Sequence, residues 1–327
     1  MTRHVIVGKG PIGSTLARQL ADAGDEVLVL SRTGSPSAPT TPGASTEPPI
    51  RHAAVDSADA AALTRAAQGA DVLYNCVNPA YHRWPTLWPP IADAILAAAE
   101  STGAVLVTTG NLYGYGAGTQ LMREDSPLAS GETKGLVRAA MWREAERRHR
   151  DGRVRATEVR GSDYLGPGAQ AQSHAGARML EPLLAGRPLH PIGAADAPHT
   201  WTYLADFARA LAAAGTTEAA WGHAWHVPSP QALTFRQLAV MVADAAGAPQ
   251  PRIRPLPMTA VRLLGIGSPM LREVYAVGYQ FVEPFVMDST ASQGVLGLTP
   301  TPWDTIVAET LAWWGSRSAD TPSAARR

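Results

Sequence analysis

Through the first half of the chain, short apolar runs alternate with stretches whose apolar residues recur every three or four positions. Residues 4–8 (HVIVG) read as a buried strand closed by glycine. Residues 11–24 read as a helix with Ile12, Leu16, Ala17 and Leu20 on one stripe and Gly24 as its stop. The alternation continues with strands at 26–30, 53–56, 71–76, 104–109 and 155–160 and helices at 60–68, 90–102 and 132–150. Between the second and third strands, residues 33–49 (TGSPSAPTTPGASTEPP) carry almost nothing to bury and read as a mobile loop. Strands alternating with helices at this spacing predict an α/β fold, a doubly wound parallel sheet of Rossmann type. The second half is less regular. Helices are expected at 202–214, 235–246 and 303–314, with an extended segment at 223–227 and a frayed tail from residue 316.

Composition narrows the classes. The chain has 327 residues, 45% of them apolar, with 28 basic and 28 acidic side chains and a pI of about 7.1. Zero net charge argues against a nucleic-acid or membrane-surface partner, because both need a basic face. The single cysteine, Cys76, excludes an internal disulfide, and no Cys/His spacing suggests a metal site. No apolar run approaches the length of a membrane span, so the expectation is a cytoplasmic protein, monomer or homodimer, acting on a small molecule. Of the basic residues, two are lysines, Lys9 and Lys134. In so arginine-biased a chain, both stand out.

Gly8-Lys9-Gly10-Pro11-Ile12-Gly13 matches G-x-G-x-x-G between a predicted strand and a predicted helix. Gly8 permits the tight turn, Gly10 lets a pyrophosphate approach the backbone, Gly13 lets the helix pack on the sheet, and the helix N-terminus offers free N–H groups. Dinucleotide binders specific for a free ribose 2′-hydroxyl place an acid at the end of the second strand. Here that strand ends Ser31-Arg32, two donors suited to a 2′-phosphate, and Lys9 adds a second cation. The expected cofactor is therefore NADP(H). Asp56, closing the third strand, is placed either to meet the adenine amino group or to cap the next helix.

These residues resemble the NAD-dependent epimerase/dehydratase family, the extended or atypical short-chain dehydrogenase/reductases. The glycine loop, Thr108-Thr109-Gly110-Asn111-Leu112-Tyr113-Gly114, the segment from Arg160 to Gly168 (RGSDYLGPG), the segment from Thr200 to Asp206 (TWTYLAD), and Leu296 to Pro300 with Trp303 follow the family's landmarks in order. The resemblance implies hydride transfer at a nicotinamide ring. It places Thr109 at the hydroxyl that binds the substrate oxygen, and Lys134 at the lysine that holds the nicotinamide ribose. It makes Asp206 a structural acid. It also exposes a departure: four residues before Lys134, where the family's Y-x-x-x-K has its proton-donating tyrosine, stands Ser130. An aliphatic hydroxyl is a far weaker acid than a phenol. Tyr113, Tyr164, or Tyr81 and His82 are candidate replacements, Tyr113 foremost, with the substrate or a water as the other source of the proton. The sequence is similar to ketoreductases of this superfamily that lack the usual tyrosine.

The domain plan that follows is a nucleotide-binding unit at 1–165, with a return segment at 196–230. A substrate-binding or lid region occupies 166–195 and 231–315, and a tail 316–327. Tyr81, Trp84, Trp88, Tyr164 and His199 are expected to wall a bulky or aromatic substrate. His174 is read as solvated, within a stretch suited to a mobile lid. Cys76 is read as a buried strand residue and no nucleophile. Arg178, Arg187, Arg252 and Arg254 show no clamp for a diphosphate in their spacing. The function expected first is an NADPH-dependent ketoreductase. An NAD-dependent sugar-nucleotide epimerase or dehydratase is the alternative enzyme, and an NADP-binding regulator is the non-catalytic alternative.

Overall fold

A computed structural model describes residues 1–35, 50–119, 121–170 and 173–320. In the first half the elements are β1 (Arg3–Val7), α1 (Pro11–Asp22), β2 (Glu26–Ser31), β3 (Arg51–Ala54), α2 (Ala60–Ala67), β4 (Val72–Asn75), α3 (Trp84–Thr102), β5 (Val105–Asn111), β6 (Leu121–Met122), α4 (Thr133–Arg150) and β7 (Ala156–Gly161). Then come β8 (Asp163–Leu165), α5 (Ala177–Leu184), β9 (Pro198–His199), β10 (Trp201–Tyr203), α6 (Leu204–Thr216), β11 (Ala224–His226), β12 (Leu233–Thr234), α7 (Phe235–Ala245), α8 (Met258–Leu264), α9 (Pro269–Ala276), β13 (Val286–Met287), α10 (Thr290–Leu296) and α11 (Trp303–Asp320).

Seven strands form one sheet in the order β11-β7-β5-β4-β1-β2-β3, every pair parallel. Parallel strands need crossovers, and crossovers put helices on both faces. The core accordingly has two layers. Leu16, Leu20, Phe207 and Leu211 from α1 and α6 cover one face, while Leu63, Trp88, Ile95 and Trp142 from α2, α3 and α4 cover the other. A third cluster, with Leu180, Trp201, Leu238, Ile306 and Trp314, packs the C-terminal lobe. The expected Rossmann-type sheet is thus observed.

Residues 202–203, expected at the start of a helix, belong to strand β10, and β3 lies two residues earlier than expected; two boundaries differ more. Helix α3 begins at Trp84 rather than residue 90, and it carries Pro89 and Pro90 inside. Interior proline removes a hydrogen bond. Here Trp84 and Trp88, 1% and 0% exposed, share one face with Ile91 and Ile95 and bury enough apolar area to offset that loss. Helix α11 continues to Asp320, past the point where fraying was expected, with Trp313 and Trp314 anchoring its last turns in the lobe core. Most of the loop expected at 33–49 lies outside the described residues.

Candidate functional site

Register brings the strand ends together. Val7 of β1 lies beside Leu30 of β2 and Asn75 of β4, and Asn75 lies beside Thr108 of β5. The loops leaving these strands share one edge, where open α/β sheets hold their ligands.

The glycine loop fits a dinucleotide. Gly8 has φ +115°, and a Cβ there would lie 2.5 Å from the Cys76 carbonyl oxygen. A Cβ on Gly13 would fall on the Gly8 carbonyl oxygen, whereas nothing stands within 4 Å of a Cβ on Gly10. The backbone is therefore closed beneath the loop and open above it. Gly10 is the N-cap of α1 with no side-chain cap bond and Pro11 follows, so the N-cap itself leaves the first-turn N–H groups to other partners. Ile12 packs against the core from this same turn.

Beside the loop, Lys9 Nζ donates to Thr33 Oγ1 at 2.9 Å, Ser35 Oγ at 3.0 Å and the Ser35 carbonyl at 3.2 Å. The ammonium ties the loop to the turn after β2. Ser31 Oγ accepts from the Gly34 N–H at 3.1 Å and Arg32 is exposed. Cations and hydroxyls thus share one rim at the end of β2. Asp56 does not cap α2. Asp59 does, accepting from the Ala62 N–H, while the carboxylate of exposed Asp56 accepts from the nearby Ala58 N–H at 3.0 Å.

Cys76 joins the loop to the second half of the site. Thr109 Oγ1 donates to its sulfur at 3.4 Å, and burial pushes the thiol up to about 12 against that bond. It is no nucleophile. The Thr109 carbonyl accepts from Arg138 Nη1 at 3.1 Å. That guanidinium lies 4.8 Å and 4.6 Å from the rings of Trp84 and Trp88.

Lys134 sits in the first turn of α4 and is 1% exposed. Its ammonium lies 2.6 Å from Glu273 Oε2 on α9 and 5.8 Å from the centre of the Tyr81 ring. The N-cap is Glu132, whose carboxylate accepts the Lys134 and Gly135 backbone N–H groups. Ser130 therefore precedes the helix, so the one-turn geometry of Y-x-x-x-K does not exist here. Its hydroxyl accepts from the Glu132 N–H at 3.3 Å, and its Cα would lie 2.8 Å from a Cβ on Gly116. Ser130 is a packing residue.

Phenols reach the site from elsewhere. Tyr81, in the turn Tyr81–Arg83 after β4, and Tyr113, in the turn Leu112–Tyr115 after β5, share a hydrogen bond of 3.0 Å between their hydroxyls. Tyr113 is buried and Tyr81 partly exposed. Burial raises both phenols, Tyr113 well above the usual value, with the charge of Asp163 adding to each. Tyr164 is pushed up to about 12 by burial, with Tyr81 and Asp163 contributing. His199 is buried, its Nε2 3.1 Å from Asp163 Oδ2 and its Nδ1 3.3 Å from the Gln280 carbonyl oxygen. Burial would raise the Asp163 carboxyl, but the His199 bond and charge outweigh it and hold the group low.

Three expectations need correction here. Trp84 does not wall a pocket: it is buried, donates Nε1 to the Pro79 carbonyl at 3.0 Å and props Tyr81 edge-on. Trp88 is likewise core. His174 is not solvated. It stacks parallel to Trp201, packs against Phe235 and Phe281, and is pushed down to about 4 by burial. Asp206 is structural as expected, buried and accepting from Thr301 N at 2.8 Å and Thr301 Oγ1 at 2.6 Å. Sequence reading missed Asp163 and Glu273. Asp163 lay inside the quoted Arg160–Gly168 segment, so its position offered a signal; Glu273 offered none.

A parallel doubly wound sheet with a glycine loop at its first crossover defines an open α/β nucleotide-binding protein. Comparison with known proteins sharpens the class. The profile of the NAD dependent epimerase/dehydratase family matches residues 5–227, and the chain belongs to that family. The fold is similar to that of a dTDP-glucose 4,6-dehydratase from Streptomyces venezuelae, solved with NAD and TYD bound (20% identity, TM-score 0.75, covering 97% of this chain and 98% of that one). It is also similar to the Bacillus anthracis dTDP-glucose 4,6-dehydratase in complex with NAD (14%, 0.80, 98% of each chain). A third is the UDP-glucose 4-epimerase of Thermotoga maritima with UDP-glucose (16%, 0.76, 97% and 100%). No curated protein sequence matches the chain.

Proposed function

We propose that the protein is a nicotinamide-dinucleotide-dependent enzyme that transfers hydride between its cofactor and a secondary alcohol or ketone of a sugar-nucleotide substrate. The observation that carries the reading is the convergence at Cys76. There the glycine loop that would cradle the pyrophosphate meets Thr109, and Tyr113 adjoins the helix turn that buries Lys134. The relatives with known ligands favour the sugar-nucleotide substrate over the ketone expected first.

The cofactor supplies the hydride when bound; the chain supplies orientation and the proton. Gly8, Gly10 and Gly13 with the α1 N-terminus would hold the phosphates, and Lys134 the ribose next to the redox ring. Thr109 would hydrogen-bond the substrate oxygen. In the reducing direction the proton comes from the Tyr81–Tyr113 pair. Burial keeps both phenols protonated at neutral pH; partly exposed Tyr81 would give the proton and be reprotonated from solvent, while the Tyr113 hydroxyl, bonded to it at 3.0 Å, would steady the phenolate left in between. Tyr164 and the His199–Asp163 pair would line the substrate side.

The phosphorylated dinucleotide is preferred in this reading, because Ser31, Arg32, Thr33, Ser35 and Lys9 share one rim. Arg32→Ala should raise the Kd for NADPH about ten-fold or more while leaving NADH within about two-fold, consistent with loss of one charge-assisted phosphate contact. Titration of protein fluorescence with each nucleotide measures this. Equal effects on the two would remove the case for NADP. Turnover of nucleotide sugars, and not of simple aromatic ketones, is the outcome expected of the substrate reading. The lack of a tyrosine four residues before Lys134 supports the second reading, an atypical ketoreductase, which predicts the reverse.

A further inference from the structure

Helix α9 buries none of its own residues. Around it, Leu263, Ile266, Met270 and Tyr275 stand 68%, 76%, 50% and 41% exposed, so apolar packing does little to seat this part of the lobe. What α9 does deliver is one carboxylate. Glu273, with 29% of its side chain exposed, meets the Lys134 ammonium, which is 1% exposed. Glu132 is farther, at 3.9 Å, and its oxygens are already engaged by the α4 N-terminus. A buried ammonium is costly without a close counter-charge. Glu273 is therefore the direct partner of the lysine, reaching it from an element 139 residues away in the chain.

We infer that Glu273 balances charge for the redox step: by pairing with Lys134 it lets the site hold the oxidised nicotinamide as well as the reduced one. The inference rests on the proposed cofactor site and on Lys134 holding the ribose there. Its physics is simple. The oxidised ring carries one positive charge and the reduced ring none. A lone ammonium nearby would disfavour only the oxidised form. A carboxylate against that ammonium turns a monopole into a short dipole, whose field decays faster with distance. Glu273 touches neither reactant and acts through Lys134, so it is a positioning and tuning residue.

The test is equilibrium binding of NADP+ and NADPH to the full-length protein, followed by quenching of tryptophan fluorescence. Wild type, Glu273→Gln, Lys134→Met and the double variant are compared. Glu273→Gln should raise the ratio Kd(NADP+)/Kd(NADPH) about five- to ten-fold, the size expected of a unit charge several ångströms away in a partly screened medium. Lys134→Met should lower affinity for both nucleotides but move the ratio the opposite way. The double variant should return the ratio to within about two-fold of wild type. If Glu273→Gln weakens both nucleotides equally, or leaves both unchanged, the inference is overturned while the cofactor site stands. If wild type binds neither nucleotide, both fall, and that is known before any variant is made. Should Glu273→Gln not fold, a ratio unmoved in Lys134→Met overturns the inference by itself.

Discussion

Ser130 shows how one residue's surroundings decide its chemistry. Its hydroxyl is engaged by the Glu132 N–H, its backbone is wedged beneath Gly116 and its side chain lies against Gly135. Restoring the family's tyrosine there would not restore its function, because the position precedes α4 and is 7% exposed. Ser130→Tyr is expected to lose about 1–3 kcal/mol of stability through overpacking, with no gain in turnover. Urea unfolding and a hydride-transfer assay check the two parts. An active, equally stable Ser130→Tyr protein would show that the turn before α4 can rebuild the motif. The phenol ring beside Lys134 belongs to Tyr81, which in turn is hydrogen-bonded to Tyr113; both lie outside α4, far upstream of the motif position.

Strand β7 carries the charge economy of the sheet interior. Glu158 and Arg160 are two residues apart, so they point to the same face, and their side chains pair at 2.6 Å with 4% and 3% exposed. Arg160 also donates to Tyr115 Oη at 2.8 Å. The Glu158 charge acts on the fully buried Arg138 as well, opposing the downward pull of desolvation on that guanidinium. Glu158→Ala leaves Arg160 without its counter-ion and should cost about 3–5 kcal/mol. Converting both residues to methionine should cost much less, since no charge is then stranded. A single variant as stable as the double would contradict this account. At the same scale, α4 owes its start to Glu132, and α3 owes its extra turn to Trp84 and Trp88. Neither boundary follows from helix propensity, which is why the sequence placed the first roughly and the second six residues late.

Across the whole molecule, buried imidazoles couple stability to pH. His226 is 0% exposed, donates from Nδ1 to the Asp288 carbonyl and accepts the Tyr115 hydroxyl at Nε2. Burial lowers it to about 4, against the Asp288 bond, and half-buried His174, packed among the rings of Trp201, Phe235 and Phe281, is lowered to about 4. A lowered histidine is neutral in the native state while the unfolded chain protonates near 6.5. Stability is therefore full above about pH 6.5 and falls as pH drops toward about 4, with up to ~3 kcal/mol attributable to His226. Melting temperatures between pH 7 and 5 should decline, and the slope should shrink in His226→Gln; a flat profile in the parent protein would refute it. The apolar periodicity and the glycine spacing were enough, by themselves, to determine the doubly wound sheet, because strand, helix and tight βα turn are set by interactions within some twenty residues; the family was legible in the order of its motifs along the chain. Thr109 at the end of β5, Tyr113 in the turn after it and Lys134 in the first turn of α4 stand in local motifs that the chain itself displays. The Tyr81–Tyr113 hydrogen bond, the Asp163–His199 contact and the pairing of Glu273 with Lys134 were decided only by tertiary structure. Each joins residues from separate crossovers or from the C-terminal lobe, and hydrogen bonds and ion pairs depend on distances in space that spacing along the chain does not encode.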